Sequence, residues 1–100
     1  MEDFFTFDKR LGISIPDLPK PFRTYSIEVQ SAILSAWENQ RGAIPDRVKE
    51  MEYHIERCLD LLNQEDDFEA SCEINEDISR MAATINDLWI WYRADQVLQS

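Results

Sequence analysis

The sequence predicts an all-α protein, a three-helix bundle dominated by a long antiparallel helical hairpin and preceded by an extended N-terminal arm. Two long stretches place apolar residues at alternating steps of four and three, the spacing of helices that pack nearly parallel or antiparallel. No proline or glycine follows Pro45, so nothing breaks either stretch internally. We expect one domain, with the arm in residues 1–23 and the bundle in residues 24–100.

The arm has no helical spacing of apolar residues. Leu11, Ile13 and Ile15 alternate with small or polar residues, which is typical of a short strand or extended segment. The prolines of residues 16–21 then fix the local backbone and withhold amide donors, so this part is expected to be extended. We expect the apolar side chains of the arm to pack on the domain itself. In the alternative, the PxxP segment docks in an aromatic groove of another protein.

The first helix is expected over residues 27–40. Ser26 or Thr24 can cap its first turn by accepting a hydrogen bond from a free backbone amide. Gly42 follows the predicted end, where a left-handed residue would stop the helix. One face of this helix is apolar and consists of Val29, Ile33, Ala36 and Trp37.

The second and third helices are expected to form the hairpin. Pro45 suits the first turn of the second helix. Backbone amides in a first turn have no acceptor within the helix, so the amide hydrogen that proline lacks costs no hydrogen bond. Its apolar residues are Ile44, Val48, Met51, Ile55, Cys58 and Leu62, and those of the third helix, over residues 68–96, are Ile74, Ile78, Met81, Ile85, Leu88 and Tyr92. The polar link of residues 63–67 is too short for parallel helices, so the pair is antiparallel.

Composition limits the classes of partner. Twenty acidic against ten basic residues give a formal net charge of −10, which repels nucleic acids and anionic membranes. No apolar run approaches the roughly 20 residues of a membrane span, and the N-terminus lacks the pattern of a secretory signal. We therefore expect Cys58 and Cys72 to be reduced thiols in a cytoplasmic protein. A disulfide between them is the alternative.

The acidic residues concentrate at the predicted hairpin tip. Residues 60–77 contain eight acids and no base. Asp66, Asp67 and Glu69 are the expected contacts for a basic protein partner, and the alternative is a tip that is simply solvated. A calcium loop is not expected, because the stretch lacks glycine and alternating ligands. The single histidine and two cysteines offer too few ligands for a zinc site.

The stretch WIWYR, residues 89–93, is apolar on every side of the third helix. We expect Trp89 to face Trp37 of the first helix and Tyr92 to lie in the hairpin seam. One neighbouring helix covers about a third of a helix circumference, so Ile90 or Trp91 is left as a candidate partner-binding residue. A second copy of the chain, in a weak homodimer, is one way to cover it.

No catalytic or cofactor-binding motif occurs in the chain. His54 is the only histidine, and neither a phosphate-binding glycine loop nor a nucleophile with a base at known spacing is present. The sequence therefore predicts a small acidic cytoplasmic protein–protein interaction module without enzymatic activity or cofactor. The alternative is an acidic protein that mimics nucleic acid and inhibits a nucleic-acid-binding protein.

Overall fold

The structure, a computed structural model, describes residues 4–93. Its elements are β1 (Phe5–Asp8), β2 (Ile13–Pro16), a single 3₁₀ turn (Phe22–Thr24), α1 (Ile27–Gly42), α2 (Ile44–Gln64) and α3 (Phe68–Arg93). The protein is mostly helical, which confirms the predicted helical character, and a short two-stranded sheet is added near its N-terminus. β2 overlaps the segment whose alternation is typical of a short strand or extended segment. β1 was not predicted, because four residues are too few to establish a period of two.

The N-terminal arm is a β-hairpin. β1 and β2 are antiparallel, with Asp8 opposite Ile13. The loop between them closes on Asp8, whose carbonyl accepts a hydrogen bond from the Gly12 amide at 2.7 Å and whose carboxylate accepts one from the Leu11 amide at 3.0 Å. Gly12 has φ +75°, a left-handed conformation that glycine adopts without steric cost. The alternation in LGISI thus becomes a paired strand.

Two arginines attach the β-hairpin loop to the long helices. Arg47 of α2 donates from Nε to the Leu11 carbonyl at 3.0 Å. Arg10 donates to Thr84 Oγ1 at 3.1 Å and to Asp87 Oδ2 at 2.6 Å, both on α3. Leu11 itself is 2% exposed. The loop therefore lies against both α2 and α3 and covers one face of their hairpin.

The break between α1 and α2 differs from the prediction. Only Ala43 separates them, with right-handed angles φ −83° and ψ −12°, and Gly42 is not left-handed. Pro45 interrupts the helical hydrogen bonding between α1 and α2. It lacks an amide hydrogen, and its ring would clash with the carbonyl four residues before it in a continuous helix. Because the backbone stays right-handed through the break, α1 does not turn back alongside α2. A three-helix bundle requires that reversal.

The end of α1 instead meets the end of α3. The rings of Trp37 and Trp91 make an edge-to-face contact at 5.7 Å, and the Arg41 guanidinium lies 5.7 Å from the centre of the Tyr92 ring. α1 therefore contacts the last turns of α3 and leaves the opposite end of the hairpin uncovered. Its N-terminus follows the prediction, since Ser26 Oγ accepts from the Val29 amide at 3.2 Å.

The buried core lies at one end of the molecule. Its apolar residues are Leu11, Ile13, Phe22, Ile33, Trp37, Ile44, Val48, Met51 and Leu88. No residue between Met51 and Thr84 is buried. We call residues 52–83 the distal hairpin, and the remaining described residues the base.

The buried stripe of α3 rotates as the helix enters the base. In this part of the helix the predicted seam consists of Ile85, Leu88 and Tyr92. Leu88 is buried as predicted, but the other buried residue is Thr84, and Trp91 contacts the core. Thr84 is 2% exposed and its hydroxyl donates to the Arg80 carbonyl at 2.9 Å. The base covers one face of α3, and a polar threonine on that face carries no hydrophobic signal.

Burial predicts unequal costs of truncation along α3. Leu88→Ala should lower the free energy of unfolding by about 2–5 kcal/mol, because it leaves a cavity in the core. Ile74→Ala, at a half-buried position of the distal hairpin, should cost about 1 kcal/mol. Urea unfolding followed by circular dichroism measures both. Equal losses would contradict the confinement of the core to the base.

Gly12→Ala should destabilise the protein by about 1–3 kcal/mol, because alanine resists positive φ. A Cβ there would also lie 2.5 Å from Arg47 Nε and displace its hydrogen bond to Leu11. Gly42→Ala is the matched control, since its Cβ would meet nothing within 4 Å, and it should stabilise α1 by about 0.5–1 kcal/mol. Thermal melts that show Gly12→Ala as stable as the parent would refute the loop contact.

Candidate functional site

Two carboxylates at the tip of the distal hairpin accept hydrogen bonds from backbone amides of the turn. Asp67 Oδ2 accepts a hydrogen bond from the Ala70 amide at 3.0 Å, which caps the first turn of α3. Glu65 Oε1 accepts one from the Asp67 amide at 3.0 Å. Asp67, a predicted partner contact, therefore has a structural role as well. Asp66 and Glu69 are exposed and face no described cation.

The two predicted binding groups lie at opposite ends of α3. Asp66, Asp67 and Glu69 are at the tip, whereas Ile90 and Trp91 belong to the base. Twenty-one residues separate Glu69 from Ile90, or about 32 Å along a helix. They therefore form two separate candidate surfaces, and the partner-binding role of each stays a prediction.

The aromatic residues of WIWYR are arranged differently from the prediction. Trp91, not Trp89, makes the aromatic contact with Trp37, and Tyr92 is 37% exposed instead of lying in the core. Trp89 is half-buried and meets the Tyr92 ring edge to face at 5.4 Å. Ile90 is 52% exposed. Rotation of the buried stripe in the base explains the change, because it brings Trp91 inward and turns Tyr92 out.

The apolar seam of the distal hairpin is incompletely covered. Two helices bury the stripe that each presents to the other, and no third element of residues 4–93 lies over residues 52–83. The seam residues there are half-buried: Ile55, Cys58, Leu62, Ile74, Ile78 and Met81. Four further large apolar side chains are 45–79% exposed: Tyr53, Leu59, Leu61 and Phe68. The distal hairpin therefore displays apolar surface that the other described residues do not cover.

The distal hairpin also carries most of the net charge. It contains ten acidic residues and two arginines, which is −8 of the formal −10. The acids form rows with a residue at every fourth position, Glu52, Glu56 and Asp60 on α2 and Glu69, Glu73 and Asp77 on α3. Each step advances about 6 Å along the helix. The acidic surface is thus larger than the predicted tip cluster.

One face of the distal hairpin holds both of its arginines. We call it the arginine face, a groove of about 460 Å³ lined by His54, Arg57, Cys58, Leu61, Asp77, Arg80 and Met81. Arg80 pairs with Asp77. Arg57 donates to the Tyr53 hydroxyl at 3.3 Å, and this hydrogen bond raises the pKa of Arg57, a side chain that is charged at physiological pH in any case. The described residues give His54 no hydrogen-bonded carboxylate that would suit acid–base chemistry.

The other face of the distal hairpin is purely acidic and apolar. We call it the glutamate face, a groove of about 300 Å³ lined by Glu52, Ile55, Glu56, Ala82 and Ile85. Ala82 was not singled out from the sequence, because Met81 occupies the corresponding step of the hairpin seam. The spacing 78, 82, 85 and 89 would have revealed a second stripe.

The described residues contain no metal-binding cluster of His, Cys, Asp and Glu. Cys58 and Cys72 are both free thiols. Among residues 4–93, no helix combines the length and the apolar character needed to cross a bilayer. Comparison of the chain with protein-family models, curated proteins and solved structures finds no match.

Proposed function

We propose that the protein is a non-catalytic protein–protein interaction module that binds a basic protein through its distal hairpin. The observation that carries this proposal is the coincidence of two properties in residues 52–83. This segment has no buried residue, and it carries −8 of the net charge. A basic partner would cover the half-exposed seam and neutralise the carboxylate rows.

The base supports this role by fixing the position of both helices where the distal hairpin begins. Arg10 and Arg47 connect the β-hairpin loop to α3 and α2 respectively. Leu11 and Leu88 lie in one buried cluster. Because the core fixes the roots of both helices, the distal hairpin is presented as a preformed surface, which lowers the entropic cost of binding.

A basic partner would also associate faster with this acidic surface than an uncharged one. Complementary charge accelerates the encounter of two proteins and rejects partners of the wrong sign. Two distal hairpins would repel each other, since each carries −8. The weak homodimer proposed from WIWYR would instead use the exposed Ile90 in the base and keep the two acidic segments apart.

We also propose a cytoplasmic location, which the two free thiols favour. Disulfides are rare in reducing compartments, and both Cys58 and Cys72 are unpaired. Cys72 is exposed, so an oxidising compartment would leave it open to intermolecular coupling.

The second candidate function is mimicry of nucleic acid, favoured by the carboxylate rows. The α2 part of the distal hairpin has thirteen residues, about 20 Å at the helical rise. The distal hairpin as a whole carries −8 over this length of about 20 Å, which is one net charge per about 2.5 Å, against about 1.7 Å for duplex DNA. In this case the basic surface of the partner would be its nucleic-acid site. A competition experiment separates the two functions. If the protein is a mimic, nucleic acid bound by the captured partner should displace it, and if it is an adaptor, both should bind together.

The proposal predicts that binding depends on acids of the distal hairpin and not on those of the base. The triple variant Glu56→Gln, Asp60→Asn and Glu73→Gln removes exposed charges that make no cap, so its fold should be retained. Asp67 is left unchanged because it caps α3. In pull-downs from the source cell, quantified by mass spectrometry, the basic partner recovered by the parent should fall about tenfold or more.

The matched control is Glu28→Gln, Asp46→Asn and Glu50→Gln, which removes the same charge from the base. This variant should recover the partner as the parent does. Equal recovery by the distal variant, or a loss confined to the base variant, would contradict the proposed function.

A further inference from the structure

We infer that the partner contributes a basic amphipathic helix, and that this helix lies along the glutamate face as a third helix on the distal hairpin. The inference rests on the proposed function and specifies its binding mode. It has three supports: a second apolar stripe, a small residue at its centre, and the distribution of charge between the two faces.

The second apolar stripe of α3 consists of Ile78, Ala82, Ile85 and Trp89. Its steps of four, three and four are those of a seam that contacts another helix. It shares Ile78 and Ile85 with the seam that faces α2 but replaces Met81 and Leu88 with Ala82 and Trp89. A helix with two adjoining stripes has the pattern of a member of a three-helix unit. The described residues include no third helix here.

α2 offers a corresponding stripe. Ile55, Leu59 and Leu62 follow steps of four and three, beside the Ile55–Cys58 step of the hairpin seam. Leu59 is 45% exposed, although its neighbours along the stripe are half-buried. Of the two stripes, Ile55 on α2 and Ala82 and Ile85 on α3 line the same open groove. Both helices therefore contribute apolar residues to it, as helix-in-groove recognition requires.

Ala82 makes the glutamate face accessible to a helix. It lines the groove between Ile55 and Ile85, and its side chain is a single methyl group that is exposed. Packed helix axes lie about 8–10 Å apart, and the shorter distances need small residues at the contact. A large side chain at this position would fill the approach.

The charged residues of the two faces indicate which face binds the helix and that the helix is positively charged. Glu52 and Glu56 are the charged residues that line the glutamate face, so they would flank an incoming helix as flanking positions do in a coiled coil. The arginine face holds Arg57 and Arg80, which would repel the same helix. The β-hairpin loop also covers that side of α3 in the base, through the contact of Arg10 with Thr84.

The test uses the full chain and a synthetic helix as probe. The probe is a fluorescein-labelled 21-residue peptide with leucine at the two seam positions of each heptad and lysine elsewhere. A matched peptide carries glutamate in place of lysine. Fluorescence anisotropy at low ionic strength should show saturable binding of the lysine peptide, weakened by added salt, and no binding of the glutamate peptide.

The groove is located by two tryptophan substitutions at neighbouring exposed positions. Ala82→Trp fills the glutamate face and should weaken lysine-peptide binding at least about tenfold. Ala83→Trp adds the same ring 100° around the helix and should change binding less than about twofold. Circular dichroism checks that each variant folds. A second pair needs no bulky residue: Glu52→Gln should weaken binding more than Glu73→Gln.

Each contrary result overturns the inference. It fails if the lysine peptide does not bind, if the glutamate peptide binds equally well, or if Ala82→Trp and Ala83→Trp behave alike. The same two variants in the pull-down separate this failure from that of the proposed function. Retained partner capture by Ala82→Trp, together with loss in the charge-neutralised variant, leaves the interaction module standing and removes the groove.

Discussion

Two packed helices bury the stripe that each turns to the other, and this limit divides the molecule into a base with a core and a hairpin without one. In the base, the β-hairpin and α1 add a further layer over α2 and α3. That layer ends at Met51 and Thr84, the last buried residues before the distal hairpin. The half-exposed seam and the carboxylate rows occur beyond this boundary, and the groove of the glutamate face begins at it, with Ile85 as its one lining residue in the base. The proposed function depends on this boundary.

Hydrophobic spacing predicted the helices well, because a period of 3.5 to 3.6 over many residues is a strong signal. The hairpin, its short link and the Ser26 cap all agree with the structure. The same spacing does not say which face a further layer covers. Thr84 is buried although it is polar, and Trp91 instead of Trp89 meets Trp37. Those outcomes depend on where the β-hairpin docks, which no local pattern records.

Backbone chemistry explains the other departures. Gly42 was expected to end α1 in a left-handed turn, but the chain stays right-handed and Pro45 interrupts the helix instead. A glycine after a helix permits a left-handed residue without requiring one. Gly12 does adopt positive φ, because the loop must return the chain to pair Asp8 with Ile13. The acidic character of the tip is evident from the sequence, and its role in binding stays a prediction. The stripe through Ala82 is hidden by the dominant seam.

Hydrogen–deuterium exchange of the free protein, followed by mass spectrometry under native conditions, tests the division most directly. Amides in the middle of the helices of the distal hairpin should exchange through local opening, with free energies at least about 2 kcal/mol below those of helical amides in the base. Residues around Val48 and Leu88 should exchange only on global unfolding. Uniform protection along the whole of α2 and α3 would show that the distal hairpin belongs to the same cooperative core, and would contradict the account.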